Sequence, residues 1–113
     1  MRAIPKKLLI HSVYLFKKAD EDKWGKFTEK PENKLSFVRI EPASKIVRTV
    51  NNAEIQLSAT LIYDCRNSTP KDIKFETDDI IVFNSQKHRI QLIEPLYDGN
   101  KLHHFEIGLV AQA

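Results

Sequence analysis

One cysteine, three glycines and one methionine in 113 residues leave little material for several common designs. A lone Cys65 excludes an internal disulfide and suits a reducing compartment. Three glycines leave no phosphate-cradling loop, and no G-x-S-x-G nucleophile motif is present. No apolar run approaches the ~20 residues a membrane-spanning helix needs. The opening MRAIPKKLLIHSVYLF has a basic start before apolar residues, as a signal peptide does. Pro5, Lys6, Lys7, His11 and Ser12 interrupt it, and no small-residue cleavage site follows, so it reads as a mature N-terminal strand. Without a secretory signal, Asn67-Ser68-Thr69 is a chance match to a glycosylation acceptor. No stretch carries a convincing helical period, although a short helix within 65–74 or 17–34 stays open.

What is present is alternation. Residues 75–110 hold three apolar runs separated by turn signals. Ile80 to Phe83 follows the acidic pair Asp78-Asp79. After Asn84-Ser85-Gln86, the residues His88, Ile90 and Leu92 alternate with Lys87, Arg89 and Gln91, the period of a half-buried strand. Pro95 is expected to end that run, because it cannot donate to a ladder. Asp98-Gly99-Asn100 supplies turn chemistry. The last run puts His103, Phe105, Ile107 and Leu109 on one face and His104, Glu106 and Gly108 on the other. Upstream, Leu8 to Phe16, Leu35 to Ile40 and Lys45 to Val50 read as strands. Glu54 to Asp64 reads as one more, with Ile55, Leu57, Ala59, Leu61 and Tyr63 facing one way. The length fits a single domain over residues 1–113. The expected fold is all-β, a small six- to seven-stranded antiparallel barrel or sandwich with one long charged loop at 17–34.

That loop, KKADEDKWGKFTEKPENK, is long for a compact domain, and such connections are usually functional or mobile. Trp24 and Phe27, with Lys23 and Lys26 beside them, form a candidate partner-binding set. Trp24 either anchors a partner or folds back to cap the core. Residues 1–50 carry a net charge of +6 and residues 51–113 a net −3. Three sources fit this split: solvated strand faces, stacking of basic on acidic halves between copies, or a basic face toward nucleic acid. The interleaved Asp20, Glu21, Asp22, Glu29 and Glu32 blunt the last. His104 and Glu106 share a strand face, and His104 is expected to hydrogen-bond Glu106 or a neighbouring backbone group, fixing a subunit contact or a strand edge. Neighbours on a strand diverge, so His103 and His104 are not expected to face one ion, and no metal site is expected even with His88 on a nearby strand. Asp78-Asp79 is expected to fix a turn, not to form an acid/base pair. No catalytic residue and no cofactor site stands out.

Taken in order, IPKKLLIHSVYL, the pair Trp24-Gly25, FVRIEP, the Ile62-to-Pro70 series, DDIIVFNSQKHRIQLIEP and LHHFEIGLV have a specific likeness. The chain resembles the small minor capsid proteins encoded in the structural-gene cluster of long-tailed bacteriophages and prophages of Gram-positive bacteria. It departs at Asn84-Ser85-Gln86, where a glycine is expected. The resemblance implies a virion protein, made in the bacterial host cytoplasm, that works by assembly without catalysis. It implies a head-closure, stopper-like β-barrel, bound as a ring beneath portal and adaptor, with a mobile loop that rearranges on assembly. Partners would be other virion proteins on the portal and tail sides and further copies of the chain, with contact to packaged DNA possible. No membrane and no small-molecule substrate is implied. The alternatives are a tail-completion protein, a component decorating the head, or a small β-barrel that binds nucleic acid or peptide.

Overall fold

The computed structural model describes residues 2–18 and 33–112. Eight strands form: β1 (His11–Phe16), β2 (Asn33–Pro42), β3 (Ile46–Arg48), β4 (Glu54–Gln56), β5 (Ala59–Asp64), β6 (Ile80–Phe83), β7 (Gln86–Asp98) and β8 (Lys101–Gln112). Six of them close an antiparallel barrel in the order β1-β2-β5-β8-β7-β6, and β3 pairs with β4 as a separate hairpin. The expected small antiparallel barrel is therefore what forms.

Alternation builds the barrel because one face of each strand points into a common core. Val13, Leu15, Leu35, Val38, Leu61, Ile81, Ile90, Ile107 and Leu109 are completely buried there. Leu61 stands opposite Ile107, and Ala59 opposite Leu109. An aromatic plug joins them: the Phe75 ring lies 5.4 Å from Tyr63 and 5.7 Å from Phe105, both edge-on. Such edge-to-face rings add to the burial they bring. The Tyr63 hydroxyl donates to the Pro70 carbonyl. Burial first, then nearby acidic groups, push its pKa up to about 12, so the donor stays protonated.

Four expectations need correction. The first strand starts at His11, because residues Lys6–Leu8 form a 3-10 turn behind Pro5. The 17–34 loop gives its last two residues to β2, where Leu15 pairs with Asn33 and Tyr14 with Lys34. The run Glu54 to Asp64 is two strands in two sheets. At Leu57-Ser58 the chain leaves the β3–β4 hairpin and enters the barrel wall, and Leu57 is buried outside the barrel core. Its side chain fills the space over Gly108, where an added Cβ would come within 2.7 Å of a Leu57 methyl. Glycine at 108 thus lets the hairpin's exit pack flat against the wall.

Pro95 does not end β7, which continues to Asp98 with Pro95 opposite Phe105. β6 pairs with β7 only from Gln86 to Arg89, so further along the strand a missing N–H on that side removes no ladder bond. Two-residue turns join the last three strands. Phe83 pairs with Gln86 across Asn84 (φ 50) and Ser85 (φ 62), and both take the left-handed conformation of a type I′ turn. Asn tolerates this conformation, whereas Ser is strained in it. Ser85→Gly is expected to raise stability by about 0.5–1 kcal/mol, read as a shift in the denaturation midpoint at unchanged slope.

Candidate functional site

Where β5 ends, its last residue organises a node. The Asp64 side chain is fully buried. Its Oδ1 accepts the Ile4 amide (3.1 Å), and its Oδ2 accepts the amides of Arg66 (3.1 Å) and Asn67 (2.7 Å). The Asp64 amide donates to Ser68 Oγ (2.9 Å), whose hydroxyl donates to the Phe37 carbonyl. Asn67 Nδ2 donates to the Ile4 carbonyl (2.7 Å). One carboxylate and its neighbours thus tie together the N-terminal arm, the 65–68 turn and β2. The Lys71 ammonium donates to the carbonyls of Cys65, Arg66 and Ser68, closing the same turn. Burial and the Asp64 carboxylate push the Cys65 thiol up, away from the nucleophilic thiolate.

His103 and His104 adjoin this node. A register shift between Leu96 and Tyr97 bulges β8 at His103, and the two rings meet, with Nδ1 to Nδ1 at 2.8 Å. The expected divergence of strand neighbours fails here because a bulge breaks the period of two. His104 Nε2 lies 3.0 Å from Glu106 Oε2, so the expected pair forms. His103 Nε2 reaches the Arg2 carbonyl at 2.6 Å. His88 stands elsewhere, opposite Ala111 at the other end of the β7–β8 pairing, with its buried Nδ1 lacking a partner among the described residues. Among the described residues no three His, Cys, Asp or Glu side chains gather as metal ligands. A cavity of about 390 Å³, lined by Asp64, Cys65, Arg66, Asp98, Lys101 and His103 among others, opens beside the node.

A second node sits where β1 runs out. Asp79, 2% exposed, accepts Lys17 Nζ (2.5 Å), the Lys18 amide (2.9 Å) and the Glu76 amide (3.1 Å). Lys17 also bonds the Lys74 carbonyl (3.0 Å) and Glu76 (3.1 Å). Burial alone lowers the lysine pKa, but the hydrogen bonds that Lys17 donates to Asp79 and Glu76 outweigh it and hold the pKa above 10.5. The expectation that Asp78-Asp79 fixes a turn holds, with divided labour. Asp79 is the buried anchor, and Asp78 (φ 74) is exposed and paired with Arg89 at 3.2 Å.

Lys23, Trp24, Lys26 and Phe27 lie outside the described residues. The excess of positive charge in the first half is partly consumed within the chain. Lys17 pairs with Asp79 and Glu76, Lys45 with Glu94 (3.5 Å), Arg48 with Glu54 (3.1 Å) and Arg39 with Glu41 (2.5 Å). Exposed apolar side chains concentrate instead on the arm and the hairpin. Leu8 and Ile10 lie in the arm, and Ile46 and the fully exposed Val50 in the hairpin. Phe37, in β2, is exposed at φ 56 with Lys6 Nζ 4.6 Å above its ring. Sequence reasoning missed both buried carboxylates. A faint signal existed, since Asp64 and Asp79 each adjoin a β-branched or aromatic strand run, where an exposed carboxylate has little reason to be.

No helix among the described residues is long and apolar enough to cross a membrane. Neither a curated protein nor a solved structure matches the chain significantly. A family profile described as minor capsid protein matches residues 5–109. That match takes in both buried aspartates and all eight strands except the last residues of β8, and by it the chain belongs to the minor capsid protein family, structural components of the virion that assemble with other virion proteins.

Proposed function

We propose that this minor capsid protein is a head-closure, stopper-like component of the head–tail connector of a long-tailed phage. It acts by assembly into a ring between the portal side and the tail side, without catalysis. The observation that carries the reading is how the 19–32 segment is rooted. One end leaves β1 beside the Lys17–Asp79 node, and the other enters β2 at Asn33, one rung from Leu15. The sequence between these two roots holds Lys23, Trp24, Lys26 and Phe27, the mixture of aromatic anchors and charge that protein contacts favour. In a ring, neighbouring copies meet through unlike faces. The exposed apolar residues of the arm and the hairpin suit such contacts, with His104–Glu106 a further interface candidate.

Cryo-electron microscopy of assembled particles, with wild-type chain and with residues 20–30 deleted, tests this. The expected result is ring density between portal and tail for the wild type. The deleted chain should keep its strand content and denaturation slope, yet be missing from particles. Normal incorporation of the deleted chain, or absence of the wild type from purified particles, would overturn the reading. Density at the tail end would instead mark a tail-completion protein. Binding to DNA that weakens steeply with salt would mark a nucleic-acid module.

A further inference from the structure

The ring contacts of His103 and His104 form one continuous chain. It runs from the Arg2 carbonyl to His103 Nε2, from Nδ1 to Nδ1 between the rings, and from His104 Nε2 to the Glu106 carboxylate. Each of these three contacts needs one proton between its heavy atoms. Neither end can supply it, because a carbonyl oxygen and an ionised carboxylate only accept. All three protons must therefore sit on the four ring nitrogens. Two neutral imidazoles carry two, and two imidazolium ions carry four. The chain is complete only when the pair holds three, one ring neutral and one charged.

The sheet register supports that charge independently. Glu106 stands directly opposite Glu94 across β7 and β8, and facing like charges destabilise a sheet. Glu94 is met by Lys45. Among the described residues Glu106 is met by His104, a contact that becomes an ion pair when the ring is protonated.

We propose that His103 and His104 form a pH-gated latch for the N-terminal arm, closed when the pair carries one extra proton and open when it gains or loses one. Loss of the third proton leaves two acceptors facing each other within the chain. Gain of a fourth sets two N–H groups head to head between the rings. Either change turns the contact between the rings from attractive to repulsive, and a His103 ring pushed away from His104 moves off the Arg2 carbonyl. The other charges nearby set where on the pH scale this happens. Asp64 is occupied by three amides and Lys71 by three carbonyls. Arg66, Lys101 and Asp98 line the adjoining cavity beside His103.

The test uses the full chain, isotope-labelled for ring-nitrogen shifts, with the exchange protection of the Ile4 amide as a gauge of arm docking. Protection is expected to peak within the histidine range of about pH 5 to 8, and to fall about fivefold on either side, the effect of one lost hydrogen bond. In Glu106→Gln the new side-chain amide supplies the missing proton to His104 Nε2, so the fall at high pH should vanish while the fall at low pH remains. Flat protection, with the two histidines titrating independently, overturns the proposal. So does an unchanged bell in Glu106→Gln.

Discussion

Asp64→Ala is expected to cost about 3–5 kcal/mol, the largest loss from any single polar substitution in this chain. The magnitude follows from what the carboxylate holds. Its removal leaves the amides of Ile4, Arg66 and Asn67 facing the space that its fully buried side chain filled, and a donor left unmade there costs up to about 1–3 kcal/mol. Partial relaxation of the turn recovers some of that, so the three do not add in full. The measurement is chemical denaturation beside exchange protection at Ile4. Both should fall together, because the carboxylate that supports the 65–68 turn also accepts the Ile4 amide of the arm. Asp64→Asn keeps two acceptor sites at most on one oxygen and sets an NH₂ against amide donors, so it should recover less than half of the loss. Wild-type stability in Asp64→Ala would mean that Asn67, Ser68, Lys71 and His103 suffice to hold the arm and turn.

Asp79→Ala is expected to cost about 2–3 kcal/mol. Here the Lys18 and Glu76 amides lose their acceptor, while Lys17 keeps Glu76 and the Lys74 carbonyl and so is not left unpaired. Exchange should quicken first at Lys18 and Glu76, beside the point where the 19–32 segment departs. The pH dependence has a definite sign. The Lys17 pKa is raised on folding, so its contribution is fully present below the ordinary value of 10.5 and is lost as pH rises through the raised value. The gap between wild type and Asp79→Ala should therefore stay constant from about pH 6 to 9 and shrink only in strong alkali. A gap that closed near neutrality would show that the Lys17 ion pair is not what Asp79 contributes.

Much of the barrel was legible because alternation is a local signal. The runs around Leu61, Ile81, Ile90 and Ile107 state which face is buried before any partner strand is known. What escaped was set by distant residues. Burial alternates without interruption through Leu57 and Ala59, yet the two lie on opposite sides of the wall, because Leu57 finds its place over Gly108, far along the chain. Pro95 obeys the rule that excludes proline from paired ladders, but the short reach of β6 leaves its side unpaired. The meeting of His103 and His104 depends on a bulge opposite Tyr97, and no pattern within HHFE reveals it. Asp64 and Asp79 look like ordinary turn residues until the arm and the end of β1 come to rest on them.

The pairing of Leu15 with Asn33 has a consequence for how such a chain diversifies. A connection whose flanks are already fixed, Lys18 on Asp79 and Asn33 on the β1–β2 ladder, adds little closure cost as it lengthens, roughly 0.6 kcal/mol for each doubling. The barrel therefore acts as a socket. Segments of other lengths and compositions can replace residues 19–32 while Asp79 grips one root and the β1–β2 ladder the other, so specificity for a neighbour can change without the wall being redesigned.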